Sequence, residues 1–116
     1  MTVKECYEQM GADYEGVLGR LRSEALIKKF AKKFLADGSF QSLKENLEQG
    51  NGEEAFRAAH TLKGVCQNLG FDNLYQVSFD ITEKLRGRET DGCEELFAKV
   101  EEQYKKTTDA IQMMED

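Results

Sequence analysis

The sequence of 116 residues contains no proline, no tryptophan and only one histidine, and no apolar run in it is longer than four residues. The lack of proline leaves helices uninterrupted, and the apolar residues rarely alternate with period two. The short apolar runs exclude a membrane-spanning helix, which needs roughly 20 apolar residues, and the first residues lack a signal-peptide core. We therefore expect an all-α, cytoplasmic protein with no membrane partner.

Cysteine and net charge exclude further classes of protein. The three cysteines are widely spaced, which fits neither a disulfide framework nor a zinc site, so we expect reduced packing residues. The formal net charge of -6 disfavours nucleic acid as a partner. Four lysines cluster at positions 28–33. This cluster is explained either by a solvated helix face or by a docking surface for an acidic partner.

Glycines and helix-capping residues divide the chain into helical segments. The length suits one domain, and we expect a single domain over residues 1–116. Within it we place an N-terminal helical cap at about residues 1–37 and a four-helix bundle at about residues 39–114. The predicted helices cover residues 2–10, 23–35, 39–49, 51–69, 72–86 and 91–114, with a less regular segment at 12–22.

The apolar spacing predicts how these helices pack. Four helices, from residue 39 onward, carry apolar residues three and four positions apart, which is the pattern of a bundle seam. Short connections then favour an antiparallel up-and-down four-helix bundle with additional N-terminal helices. The helix over residues 23–35 is apolar over about half of its circumference. We expect this excess to cap one end of the bundle, with part of it open as a docking surface.

The single histidine, His60, lies in a segment whose spacing predicts one uninterrupted helix. Measured from Leu62, at the centre of the buried stripe, His60 lies about 160° around the helix and so points to solvent. Lys63 and Gly64 share this outward side, and Phe56 lies one turn before the histidine. An exposed histidine alone usually has no function, so the interpretation depends on these neighbours.

The presence of glycine at position 64, inside a predicted helix, needs an explanation. A glycine inside a helix costs roughly 1 kcal/mol relative to alanine. The other glycines fall at predicted breaks or in the less regular segment, which leaves Gly64 as the only one inside a strong helical pattern. Close approach of a large partner to His60 explains it.

Phosphoryl transfer suits this group of residues better than other reactions. A metal site needs three or four ligands, and acyl transfer needs a nucleophile and an orienting carboxylate in a pocket, whereas this face is convex. A neutral imidazole is a competent nucleophile, and Lys63 offers a positive charge to phosphoryl oxygens. Gly64 leaves room for a partner that brings its own acidic site and metal. We expect no turnover by the isolated chain.

The segment His60–Gly70, read HTLKGVCQNLG and preceded by two alanines, resembles the signature of histidine-containing phosphotransfer (HPt) domains of multistep phosphorelays. The resemblance implies a histidine that takes a phosphoryl group from one receiver-domain aspartate and passes it to another. It implies that His60 is the phospho-acceptor, that Lys63 steadies the phosphate, and that Gly64 leaves space. Mg²⁺ belongs to the receiver, and this chain needs no cofactor.

The same resemblance suggests response-regulator receiver domains as partners and allows a hybrid histidine kinase. A monomer is expected, since one exposed site needs no symmetry. Many members carry a polar side chain on the next helix near the histidine, and Thr82 stands at that position here. Gln67 is a second candidate for a contact to the phosphate or the partner. Phe56 and Phe79 either contact a receiver or belong to the core.

One functional alternative stays open. The same surface fits a non-phosphorylated helical interaction module that binds receiver domains. A role in returning phosphate to water through a receiver differs from the relay only in the direction of flux.

Overall fold

The computed structural model describes residues 1–114, and all regular structure in them is helical. The all-α prediction is therefore confirmed. Residues 115 and 116, the last two of the predicted single domain, lie outside the described residues. The helices are α1 (Val3–Met10), α2 (Tyr14–Leu21), α3 (Glu24–Phe34), α4 (Ser39–Glu48), α5 (Gly52–Leu69), α6 (Asp72–Lys84) and α7 (Glu94–Gln112), and a 3-10 turn covers Leu85–Gly87.

Several helix starts follow from local chemistry, as the sequence predicts. The Thr2 hydroxyl accepts a hydrogen bond from the Glu5 amide, and the Glu5 carboxylate accepts one from the Thr2 amide, which completes a capping box on α1. Gly11, in the left-handed conformation, ends that helix. Side chains of Ser23 and Asn51 cap α3 and α5 in the predicted places.

The segment at residues 12–22 is more regular than predicted, because α2 occupies most of it. The Asp13 side chain accepts a hydrogen bond from the amide three residues on, and Val17 is fully buried. Capping and burial outweigh the low helix propensity of the two glycines in this helix. Gly64 is therefore not the only glycine inside a helix, and that prediction was wrong.

Two predicted caps are misplaced by one residue. Ser39 is the first residue of α4 rather than its cap, and its amide donates to the Asp37 carboxylate at 2.8 Å. Asp72 is likewise the first residue of α6. The predicted end of that helix tightens into the 3-10 turn, as helix ends often do.

Helices α4 to α7 form the bundle. Helix α5 packs against both α4 and α6, and α6 packs against α7, so that each predicted apolar stripe faces the common core. Phe40 stacks on Tyr104, with ring centroids 4.0 Å apart, and joins α4 to α7. The bundle thus holds α5 with one side in the core and one side free.

Helices α1 to α3 cover the end of the bundle where α5 gives way to α6. The Tyr7 hydroxyl donates to the Leu69 carbonyl at 2.7 Å in a buried position. The Arg20 guanidinium donates to the carbonyls of Gln67 and Asn68 in the last turn of α5. On α3, part of the apolar excess is buried, while Leu26 remains 39% exposed. The N-terminal helices therefore fix the C-terminal turn of the helix that carries His60.

A helix needs roughly 20 predominantly apolar residues to cross a bilayer. None of the helices within residues 1–114 has a long enough apolar stretch to cross one.

Candidate functional site

His60 lies in the middle of α5 and is exposed, as the helical periodicity predicts. Its neighbours Ala59 and Leu62 are fully buried in the core. Burial on one side of α5 sets the direction of the opposite side, because consecutive residues turn by about 100°. The histidine therefore projects from the outer surface of the bundle.

The imidazole of His60 stacks on the ring of Phe56. The two ring centroids are 6.0 Å apart and the planes differ by 6°, so the rings are parallel. Within residues 1–114 the imidazole forms no hydrogen bond and no ion pair. Stacking is thus the directional contact that the described part of the chain supplies to this ring.

Lys63, one turn after His60, is half-buried and leans toward α6. Its ammonium nitrogen lies 5.7 Å from the centroid of the Phe79 ring. The carboxylate of Glu83 is close enough for the charge of Lys63 to act on it. A hydrogen bond from Arg86 lowers the pKa of Glu83 most, and the positive charges of Arg86 and Lys63 lower it further, while desolvation acts in the opposite direction. One carboxylate of α6 therefore lies within reach of the charges of Arg86 and of Lys63, the lysine one turn after His60.

Gly64 borders open space. A methyl group built on its Cα would have no heavy atom within 4 Å, apart from its own helix backbone and chain neighbours. Gly52, the first residue of α5, differs, because a methyl group there would overlap the carbonyl of Arg88. Internal packing therefore requires a glycine at position 52 and does not require one at position 64.

The remaining predicted site residues fall into different environments. Phe56 is half-buried and packs against the core, whereas Phe79 is 36% exposed and lies on the surface of α6. Gln67 is exposed on the same side as His60 but lies seven residues later, about 10 Å along the helix axis. Gln67 is thus better placed for a partner than for a phosphoryl group on His60.

The assignment of Thr82 to a phosphate or partner contact is wrong. Its side chain is fully buried, and its hydroxyl donates to the Ser78 carbonyl at 2.6 Å. Position 82 adjoins Ile81 on the side of α6 that faces the core, so its hydroxyl satisfies the local backbone instead of reaching the surface.

Two arginines lie against the ring of Phe56, the residue that stacks on His60. The Cζ atom of Arg88 lies 3.9 Å from the centroid of the Phe56 ring, and that of Arg86 lies 5.4 Å from it. No pattern in the sequence points to Arg88, which lies 28 residues after His60. Its contact with α5 depends on the path of the chain after the 3-10 turn, and no local pattern reports that path.

Metal-ligating and thiol chemistry find little support here. No cluster of three or more histidine, cysteine or acidic residues suitable for a metal occurs within residues 1–114. The three cysteines are free and buried, and burial raises the pKa of the Cys6 thiol to about 11. The site instead offers a nucleophilic ring, a nearby ammonium group and open space on a convex surface.

Comparison with known proteins agrees with this geometry. No curated protein and no solved structure matches the chain. The family model described as Hpt domain matches residues 35–113, which is more than half of the chain and includes α4 to α7 with His60. The chain therefore belongs to the Hpt domain family, whose members carry out histidine phosphotransfer in phosphorelay signalling.

Proposed function

We propose that this chain is a phosphorelay intermediate that accepts a phosphoryl group on His60 from a receiver-domain aspartate and passes it to another receiver. The observation that carries the proposal is the exposure of His60, the only histidine of the chain, within the region that matches the Hpt family. Lys63 on the same helix and open space at Gly64 support it.

The proposed transfer is a simple displacement at phosphorus. A lone pair on an imidazole nitrogen of His60 attacks the phosphorus of the aspartyl phosphate, and an N–P bond forms. The P–O bond to the aspartate breaks, and the carboxylate leaves with its electron pair. The proton on the other ring nitrogen then passes to solvent. The reverse sequence loads a second receiver.

Lys63 has the role of balancing charge in this transfer. The residue is half-buried, and its ammonium nitrogen lies 5.7 Å from the centroid of the Phe79 ring, on the side of α5 that faces α6. Mg²⁺ on the receiver would neutralise the other side of the phosphoryl group. In this proposal the chain is a phosphocarrier with no turnover of its own.

The surface around His60 also supports a protein rather than a small molecule as phosphoryl donor. Gly64 offers room for a partner, whereas an enclosed pocket would be needed to bind a small substrate tightly. The free, buried cysteines are compatible with a reducing compartment, which supports a relay in the cytoplasm.

The test is phosphotransfer from a purified receiver that has been loaded with acetyl phosphate in the presence of Mg²⁺. We expect the intact chain to gain one phosphoryl group that is labile in acid and stable in base, and His60→Gln to gain none. Lys63→Ala should accept the group more slowly, by roughly tenfold for the loss of a charge-assisted contact. Lys99→Ala, on exposed α7 surface, is the matched control.

Binding of the receiver without any labelling would contradict the proposal and favour a helical interaction module. Labelling at another residue, unchanged in His60→Gln, would contradict the assignment of the acceptor.

A further inference from the structure

The orientation of the His60 imidazole needs an explanation that a hydrogen bond does not provide. The ring makes none within residues 1–114, and Thr82 is buried on the other side of α6. An exposed histidine side chain has several rotamers of similar energy. A nucleophile that samples all of them spends only part of its time in the geometry that attack requires.

Phe56 is the group that limits this freedom. It lies one turn before His60 on α5, and the two rings are parallel, with centroids 6.0 Å apart. In a helix, side chains at i and i+4 lie on one face, so this contact is available only in rotamers that bring the two rings together. The orientation of Phe56 therefore favours one orientation of the imidazole.

Arg88 in turn holds Phe56. Its guanidinium carbon lies 3.9 Å from the centroid of the Phe56 ring, and one of its nitrogens donates to the Arg86 carbonyl at 2.9 Å. Its backbone adopts the left-handed conformation with φ 64°, which a residue other than glycine rarely adopts. Its carbonyl packs against the first turn of α5, where only Gly52 leaves room.

These contacts restrain the arginine from three sides. The left-handed backbone, the bond to Arg86 and the packing on Gly52 keep the guanidinium against the aromatic ring. Backbone strain of this kind persists only where surrounding contacts enforce it.

We propose that Phe56, held by Arg88, is a positioning residue that orients the His60 imidazole for phosphoryl transfer. The proposal rests on the proposed function of His60 and adds the means by which its ring is aligned. The stacked planar groups take the place of a hydrogen bond from the next helix.

The test measures ring orientation and reactivity separately, on the full chain. Because there is one histidine, its ring protons give unambiguous NMR signals. We expect nuclear Overhauser contacts between the rings of His60 and Phe56, and a loss of the ring-current shift of the imidazole in Phe56→Leu. Reactivity is the rate of His60 labelling by phosphoramidate, a small donor that needs no docking surface.

In Phe56→Leu, His60 should be labelled more slowly by roughly two- to tenfold. This factor corresponds to the interaction free energy of one aromatic pair. Phe56→Tyr keeps the ring and should restore the rate. Arg88→Gly suits the left-handed backbone and removes the guanidinium, and we expect it to slow labelling and weaken the ring contacts. Arg22→Gly is the matched control, because Arg22 is the other non-glycine residue with positive φ within residues 1–114.

Arg88→Lys separates stacking from charge, since lysine keeps the charge and loses the planar group. We expect His60 to be labelled slowly in Arg88→Lys, as in Arg88→Gly. Wild-type labelling by Arg88→Lys would overturn the proposal in favour of a purely electrostatic role. Unchanged imidazole shifts and rates in a folded Phe56→Leu would also overturn it.

Circular dichroism establishes whether each variant is folded. If Phe56→Leu does not fold, Arg88→Gly and Arg88→Lys still test the proposal. A wild-type chain that phosphoramidate and receivers both fail to label would contradict the proposed function instead. The NMR comparison would still decide whether Phe56 and Arg88 orient the ring.

Discussion

At the scale of single residues, Glu83 is the side chain whose effect on the site is least obvious. Its carboxylate accepts a hydrogen bond from Arg86 at 2.6 Å and feels the charge of Lys63, and together these effects lower its pKa. A phosphoryl group on His60 would compete with this carboxylate for the same cations. Glu83 pairs with Arg86 and places a negative charge within reach of Lys63, and this charge would oppose the arrival of a second anion.

Neutralising Glu83 should favour phosphorylation. We expect Glu83→Gln to raise the rate of His60 labelling by phosphoramidate, by no more than about fivefold because the groups are exposed and screened. Glu101→Gln, which removes an exposed carboxylate of α7, is the control for net charge. Slower labelling of Glu83→Gln than of the control would show that Glu83 assists the reaction.

Side-chain size at position 64 should matter to a protein donor and not to a small one. Because the space beside Gly64 is open, Gly64→Gln should fold and accept phosphate from phosphoramidate at the wild-type rate. Transfer from a phosphorylated receiver should fall by about tenfold or more, since an added side chain would obstruct docking. Gly64→Ala adds a smaller group, so its rate of receiver transfer should lie between those of the wild type and Gly64→Gln. Equal receiver transfer in all three proteins would remove the steric argument.

At the scale of the helix, the sequence predicts N-caps well where the capping side chain accepts a hydrogen bond from an amide in the first turn of its own helix. Thr2, Ser23 and Asn51 cap the predicted helices because their hydrogen bonds span only three residues. Asp13 acts in the same way, yet the two glycines after it concealed α2. Propensity is a weak guide there because burial of Val17 stabilises the helix from outside.

The same distinction between local and distant interactions decides which site residues the sequence could predict. Exposure of His60 follows from the period of its own helix, so the sequence suffices to predict it. Thr82 was misplaced because the family resemblance assigned it by its position relative to His60, whereas the period of α6 puts it beside the buried Ile81. Arg88 could not be found at all, since its contact with Phe56 depends on how a turn after α6 returns to the start of α5.

The two glycines of α5 offer a direct test of this distinction. Gly64→Ala should raise the free energy of unfolding by about 1 kcal/mol, because alanine is the better helix former and meets no neighbour. Gly52→Ala should lower it by about 1–3 kcal/mol, because the added methyl group displaces the Arg88 carbonyl. Urea denaturation followed by circular dichroism measures both. Stabilisation by both substitutions would contradict the close approach at Gly52.

At the scale of the whole molecule, the family region does not supply the entire core. The Hpt match begins at residue 35, yet α1 to α3 add fully buried side chains and bind the end of α5. Among them, Tyr7 reaches the Leu69 carbonyl with its hydroxyl and packs on the Phe71 ring. The N-terminal helices are thus part of the structure that holds the turn after the site helix.

Removing that buried hydroxyl should weaken the whole fold. Tyr7→Phe leaves the Leu69 carbonyl without its partner, and we expect a loss of about 1–2 kcal/mol in the free energy of unfolding. Tyr14→Phe is the control, because its hydroxyl bonds to Glu24 at an exposed position and should cost little. Equal effects of the two substitutions in urea denaturation would contradict a special role for the link between α1 and α5.

The proposed relay depends on one covalent event at one side chain. Its most direct test is peptide mass mapping of the chain after incubation with a phosphorylated receiver and Mg²⁺, under alkaline conditions that preserve phosphohistidine. We expect a single phosphoryl group on His60. It should be lost when an excess of unphosphorylated receiver is added, because that receiver takes the group back. A phosphorylated receiver that binds the chain and leaves His60 unmodified would contradict the proposed relay.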